Sequence, residues 1–376
     1  RHSFPTRRSS DLQTDATLDF FDAHATGCRM SSKRAHQPDP AALAGGFVDW
    51  FRKHGRDYPW RRTRDPYAIL VSEVMLQQTQ IPTVLDRGYY ARWLEQFPNW
   101  ETLAKADESS VLKAWEGLGY YRRARNLHKL AQVILAEHGG AFPEDHAVIL
   151  ELPGVGPYTA GAVASFAFGQ AQPIVDGNVA RVLSRIFNDP TPIDSPQGRD
   201  VLWKRATELV QATDDPRALN SALMELGQTH CRTGRPDCEA CPVRTQCRAT
   251  EPESLPVKGS RTVLTEVTER VVFVRRANGI LLEQETGSRR TGLWKLPALP
   301  EPFHGQPPPV LMRSNYGITR YKVTLWVHEA PSGHSDWPES HQIIPQADLA
   351  ALPMPSPYRR AINALLKERE EGSLNL

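Results

Sequence analysis

The chain contains no apolar run approaching the roughly 18 residues that a membrane-spanning helix needs. Its longest candidate, "AGAVASFAFG" at 160–169, is short and rich in small residues, and reads as a buried helix. Residues 1–38 lack the apolar core of a secretory signal. Net charge is scarce too: +2 over the whole chain, too little to argue for a nucleic-acid partner by itself. Cysteine is rare, with five residues, and four of them fall within 231–247. That clustering argues against a secreted disulfide framework. From 39 to about 230 no stretch alternates like a β-strand. No internal repeat is visible.

What is present suggests two or three domains in 376 residues, with abundant proline (31) and tryptophan (9). The opening "SFPTRRSSDL" reads as translated sequencing-adapter DNA, so residues 1–12 are set aside as artefactual; the rest of 1–38 is polar and expected to be disordered. A helical region follows. "DPYAILVSEVMLQQTQ" (65–80) offers Asp65 as N-cap and Pro66 at the first helical position. Further helices are expected at 107–118, 121–139, 157–169, 177–187, 195–211 and 215–231. A polar, proline-bearing linker lies near 249–266. Beyond it, 261–285 and 320–330 alternate like strands, with a hairpin-like turn at 279–280 and proline-rich loops between the runs. A final helix spans 356–370.

Two patches, "FRKHGRDYPWRRTR" (51–64) and "YYRRARNLHK" (120–129), mix basic and aromatic residues. Such mixtures suit a phosphate backbone with stacked bases; a solvated helix face fits them as well. The cysteines Cys231, Cys238, Cys241 and Cys247 follow the spacing C-x6-C-x2-C-x5-C. Four thiolates so close can hold one soft-metal centre, either an iron–sulfur cluster or a structural zinc.

Three short motifs bear on chemistry. Glu73 is flanked by Val71, Val74 and Met75, where desolvation would raise its pKa; by helix position alone it could equally be an exposed carboxylate. Asp176 opens a helix in "VDGN" and fits a plain N-cap. "LPGVGPYTA" (152–160) makes a tight turn in which Gly154 and Gly156 let the backbone approach closely, and Pro157 starts a helix. Free N–H groups at that start can hold a phosphate without reading sequence.

Taken together, these residues resemble the helix–hairpin–helix DNA glycosylases and, more closely, the MutY-type adenine DNA glycosylases. The resemblance rests on "YPWR" (58–61), "SEVMLQQTQ" (72–80), "GLGYYRRARNL" (117–127), "LPGVGPYTAGAV" (152–163), "VDGNVARV" (175–182) and the four cysteines, nearly continuously over 45–250. It implies an all-α helix–hairpin–helix core with a [4Fe–4S] loop, followed by a smaller α+β Nudix-like domain. The expected boundaries are 39–250 for the core, with the cluster loop at 231–247. A linker at 251–262 and a lesion-recognition domain at 263–372 follow.

The activity implied is release of adenine opposite 8-oxoguanine or guanine. The base must be flipped out of the duplex, and the leaving base then needs a proton while positive charge develops on the sugar. The resemblance makes Glu73 the acid and Asp176 the carboxylate that stabilises the sugar, with Asn178 positioning. Gly154, Val155 and Gly156 would grip phosphate. Gln77, Gln78 and Tyr120 would wedge into the duplex, with Arg61, Trp60 and Leu76 near the adenine pocket or the DNA. Related enzymes with strand-cleaving lyase activity carry lysine where this chain has Tyr158, so a monofunctional enzyme is expected. An endonuclease III-like lyase and a non-catalytic iron–sulfur DNA-binding protein are the competing readings. A monomer in the cytoplasm, on the nucleoid, with no membrane partner, completes the expectation.

The C-terminal part departs from the pattern. The family reads 8-oxoguanine with a Phe-Ser-His loop; the best match here is Ile318, Thr319 and Arg320. Thr319 keeps a hydroxyl donor, whereas Arg320 changes shape and charge. The stretch 287–305 lacks the glutamate array of a functional Nudix hydrolase, so pyrophosphatase activity is not expected.

Overall fold

Aspartate, asparagine or serine stands before most of the longer helices, and its side chain accepts the first free N–H groups. In the computed structural model, which describes residues 37–259, 263–287, 290–300, 308–331 and 337–373, Asp39, Asp65, Asn99, Asp107, Asp145, Asp176, Ser195 and Asp215 all do this. Each such cap stabilises its helix by about 1 kcal/mol. The tail expected over 1–38 lies outside the described residues, apart from 37 and 38.

The helices run α1 (Pro40–His54), α2 (Pro66–Leu76), α3 (Ile81–Asp86), α4 (Tyr89–Gln96), α5 (Trp100–Lys105) and α6 (Glu108–Ala114). They continue as α7 (Arg122–Glu137), α8 (His146–Glu151), α9 (Pro157–Phe168), α10 (Gly177–Ile186), α11 (Pro196–Gln211) and α12 (Pro216–Thr229). Every residue of α2 from Tyr67 to Met75 is buried, as is every residue of α9 from Thr159 to Ala167. Helices buried on all sides form the centre of a domain. These two pack on one another, and α10 packs on α12 beside them with an amphipathic sequence. The site grows from these central elements.

The C-terminal part is α+β, as expected. Its strands are β1 (Thr265–Phe273), β2 (Arg275–Arg276), β3 (Gly279–Gln284), β4 (Trp294–Lys295), β5 (Val310–Ile318), β6 (Tyr321–Glu329) and β7 (His341–Ile344). One sheet has the order β1-β6-β5, with β1 parallel and β5 antiparallel to β6. The other has the order β2-β3-β4, with β7 also pairing β3. The last helix, α13 (Ser356–Ser373), covers a core of Val271, Phe273, Leu282, Leu325, Tyr358 and Ile362.

Three details differ from the sequence expectation. Strand β5 occupies a stretch expected to be loop; none of its residues is fully buried, so alternation there is faint. The β2–β3 turn is Ala277–Asn278, and Gly279 already belongs to β3. The expected linker is pinned rather than free: Leu255 O accepts from Arg185 Nε at 3.0 Å and Val257 O from Ile193 N at 3.0 Å. Residues 260–262 of that linker lie outside the described ones.

The described residues from Gln37 onward form one compact unit. Leu293 joins the helical core. Tyr121 Oη donates to Met354 O at 3.1 Å, and Arg359 grips Glu116 through Nε at 2.8 Å and Nη2 at 3.0 Å. The α6–α7 corner is thereby fastened to α13 and its preceding loop.

Candidate active site

Glu73, Tyr158 and Asp176 line a single groove of about 1930 Å³, walled by α2, α7, α9, α10 and α12 and by β5 of the C-terminal part. Glu73 is 6% exposed. Tyr158 Oη donates to Glu73 Oε2 at 2.8 Å and also lies 3.4 Å from Met224 Sδ. Burial pushes the Glu73 carboxyl up to about 7; the Tyr158 donor lowers it, the Asp176 charge raises it and Arg61 lowers it, in decreasing order. Burial dominates because little water reaches this side chain. The same burial, with Glu73 and Asp176 nearby, holds the Tyr158 phenol well above its ordinary value.

Keeping a carboxyl there costs stability. A shift from 4.5 to about 7 corresponds to about 3 kcal/mol, at about 1.36 per unit. On the same helix Ile69, Leu70, Val71 and Met75 are each 1% exposed or less. Their burial contributes on the order of 6–12 kcal/mol before entropy, enough to carry the carboxyl inside.

Asp176 caps α10. Its Oδ1 accepts from Asn178 N at 3.0 Å and Val179 N at 2.7 Å, and its Oδ2 from Asn178 Nδ2 at 2.9 Å. The positive end of the α10 dipole therefore faces this carboxylate. Asn178 is held in turn by Arg181, whose Nη2 donates to Asn178 Oδ1 at 2.9 Å and whose Nε donates to Cys231 O at 2.7 Å.

Arg61, Trp60 and Leu76 line the same groove. Arg61 is engaged within the protein, bonding Glu225 Oε2 at 2.5 Å and lying over Phe51 and Tyr58. Trp60 is stacked on Tyr58 with ring centres 5.2 Å apart. Gln77, Gln78 and Tyr120 also line it. Gln78 and Tyr120 are exposed and adopt left-handed backbone, with φ of +57° and +49°. Gln77 Nε2 is turned inward to Thr159 Oγ1 at 3.5 Å.

Gly154, Val155 and Gly156 lie outside the groove lining, and the two glycines differ. Gly154 has φ +76°, and a Cβ there would sit 2.6 Å from Asn126. Gly156 has φ −111° and open space around it, so the expected need for glycine holds at the first position alone. No side chain caps α9. The N–H groups of its first turn point into the space before Pro157.

From the C-terminal part, Arg290, Tyr316, Gly317, Ile318 and Thr319 reach the groove, and Arg320 does not. Thr319 and Arg320 form the two-residue turn between β5 and β6. The Thr319 hydroxyl donates to its neighbour Ile318 O at 2.7 Å, so the donor expected for lesion contact is engaged locally. Arg320 lies over Tyr321. Nothing in the sequence marks Arg290 or Tyr316. They are gathered by a folded cluster in which Arg290 Nη2 donates to Tyr316 Oη at 2.8 Å and Tyr358 Oη to Glu269 Oε2 at 2.8 Å.

The four cysteines share one loop beside α10, and none is joined to another as a disulfide. Cys241 lies within electrostatic reach of Cys247, Cys231 and Cys238. Arg185 Nη1 approaches Cys231 Sγ at 3.4 Å. Among the described residues no three Cys, His, Asp or Glu side chains converge tightly enough for one metal ion. Four thiols gathered in one loop can hold a soft metal, as a polynuclear cluster with one thiolate at each iron or as a single tetrahedral zinc.

A family model described as HhH-GPD superfamily base excision DNA repair protein matches residues 71–206. The human adenine DNA glycosylase is 43% identical over 240 residues, covering 61% of this chain and 43% of that protein. The adenine DNA glycosylase of Buchnera aphidicola subsp. Baizongia pistaciae is 34% identical over 253 residues, covering 66% of this chain and 70% of that protein. A solved thermostable thymine-DNA glycosylase superposes with a TM-score of 0.52 at 32% identity, covering 57% of this chain and 97% of its own. The chain spans less than half the length of the mammalian relatives it matches.

Proposed function

The chain belongs to the adenine DNA glycosylase family, and from that premise we propose that it excises adenine opposite 8-oxoguanine or guanine in duplex DNA, without cutting the strand. The observation that carries this reading is the Glu73–Tyr158 pair beside Asp176. A carboxyl with a pKa of about 7 holds a proton for a leaving base at neutral pH. The phenol donates to Oε2, which leaves Oε1 to carry the acidic proton toward a ring nitrogen of the flipped adenine. As the glycosidic bond breaks, positive charge on the sugar faces the Asp176 carboxylate. Two carboxyls in contrasting surroundings, one dry and one at a helix N-terminus, divide the two roles.

The monofunctional reading is supported by the side chains around the groove. A lyase needs an amine to form a Schiff base. Among the described residues no lysine lines the groove, and Tyr158 presents a phenol that stays protonated. Gln78 and Tyr120 fill the gap left by the extruded base, which offsets unstacking. The C-terminal part, read as a Nudix-like lesion-recognition domain, reaches the estranged base through Arg290, Tyr316 and Thr319. Cys231, Cys238, Cys241 and Cys247 would hold a [4Fe–4S] cluster. Bound there, it would supply a rigid crosslink of the 231–247 loop, which Arg181 joins to Asn178.

A single-turnover base-release assay tests the reading. The wild type should release adenine opposite 8-oxoguanine and guanine much faster than opposite thymine. Glu73→Gln should bind duplex DNA and release nothing. A wild type that frees no base from any duplex would leave only a DNA-binding iron–sulfur protein.

A further inference from the structure

The exposed residues Gln78 and Tyr120 both adopt left-handed backbone although neither is glycine. Such backbone is strained for a residue with a Cβ and persists only where its surroundings over-determine it. One side chain brackets both. Arg123, in the first turn of α7, directs Nη1 at three carbonyls near the end of α2: Val74 at 2.8 Å, Met75 at 3.0 Å and Gln77 at 2.5 Å. Its Nη2 donates to Leu118 O at 3.1 Å, Gly119 O at 3.2 Å and Thr79 Oγ1 at 3.4 Å. Gln77 and Thr79 flank Gln78, and Gly119 precedes Tyr120. The guanidinium carbon also lies 5.5 Å from the Tyr120 ring centre and 5.3 Å from that of Trp115.

A planar guanidinium with five donors suits this task. The carbonyls ending α2 lack helical partners, and a cation there is favoured by the helix dipole. The basic patch at 120–129 suggested phosphate contact from sequence alone, yet both terminal nitrogens of Arg123 are committed inside the protein.

We propose that Arg123 is a positioning residue that holds Gln78 and Tyr120 preformed at the groove rim, so that both enter a duplex without rearrangement. This rests on the reading of the groove as a base-flipping site. Preorganisation of this kind lowers the cost of ordering loops on binding. A misplacement of about 1 Å near a reacting centre can cost about 100-fold in rate.

The test is a double-mutant cycle on the full chain, with adenine opposite 8-oxoguanine and 2-aminopurine beside the adenine as a reporter of extrusion. Arg123→Gln and Tyr120→Ala should each slow single-turnover release by about 10- to 100-fold, and each should abolish the fluorescence rise on binding. Glu73→Gln should keep that rise. The double variant should be no more than about twofold slower than the slower single variant, because both changes remove one function. Effects that multiply would overturn the inference while leaving the enzyme reading intact. So would an Arg123→Gln variant whose only defect is a salt dependence of binding shallower by about one charge, since that marks a phosphate contact. If Arg123→Gln does not fold, Arg123→Lys decides the same cycle, keeping the charge and losing the planar fork. A wild type that releases no adenine overturns both readings together.

Discussion

The Tyr158 phenol and the Glu73 carboxyl are joined by a 2.8 Å hydrogen bond in which the phenol is the donor. The bond works against the site's main effect. Burial lifts the carboxyl to about 7, and the phenol, by stabilising the anion, pulls it back.

The first prediction follows from that opposition. Release of adenine requires protonated Glu73, so the rate should fall as pH rises through about 7. Tyr158→Phe removes the donor that lowers the pKa, and the falling limb should move to higher pH. Single-turnover rates across the neutral range measure this. A limb that stays in place, or moves toward acid, means that Glu73 is not the titrating acid.

The second prediction concerns stability. The folded pKa of Glu73 is raised from 4.5 to about 7, so the folded state holds its proton more tightly than the unfolded chain does. The associated stability is fully present below about pH 4.5 and lost as pH rises through about 7. Glu73→Gln removes the ionisation. It should therefore stabilise the protein more at pH 8 than at pH 5, by about 1–3 kcal/mol. Denaturant melts at the two pH values check the sign; equal effects at both would contradict a buried, titrating carboxyl.

Much of this site was legible because its residues come in short, dense motifs. Asp65 with Pro66, Asp176 before α10, and the apolar run around Glu73 all carry local signals of capping and burial, and the structure keeps them together. What escaped depends on long-range closure. Arg123 looks like a basic surface residue until α7 is laid against the end of α2. Arg290 and Tyr316 lie on separate segments that meet directly, Nη2 to Oη at 2.8 Å, beside Glu269 on β1. Thr319 carries a hydroxyl donor by its chemistry, but the turn that holds it directs the hydroxyl to its own backbone.

The glycine turn gives a third prediction by contrast. Gly154→Ala places a Cβ against Asn126 in left-handed backbone and should destabilise the protein by about 1–3 kcal/mol. Gly156→Ala meets open space at φ −111° and should change stability by less than about 0.5 kcal/mol. Thermal melts of the pair check this. Equal losses would mean that Gly156, too, is constrained by packing.

The cysteine loop gives a fourth. Protein purified without oxygen should carry about four irons per chain, as a cluster with one thiolate at each iron requires. Cys241→Ser should lose iron and destabilise the 231–247 loop. Amide exchange should then rise across that loop and at the start of α10, which Arg181 connects to it. One zinc per chain and no iron would replace the cluster with a mononuclear site.

The fifth prediction asks whether a single residue withholds strand cleavage. Tyr158 stands inside the groove with its Oη on Glu73, close to where the sugar carbon must sit for Asp176 to face it. A lysine at 158 would bring an amine to that carbon, and burial would lower its pKa toward a nucleophilic, neutral form. Tyr158→Lys should therefore form a Schiff base with the sugar left after base loss, trapped as a covalent DNA adduct by borohydride. The wild type should give no more than a trace. Adenine release should slow at the same time, because a neutral amine beside Glu73 takes up part of its acidic proton and so depletes the acid. Efficient trapping by the wild type would show that an amine elsewhere already reaches the sugar, and the assignment of Tyr158 as the residue that keeps the enzyme monofunctional would fall.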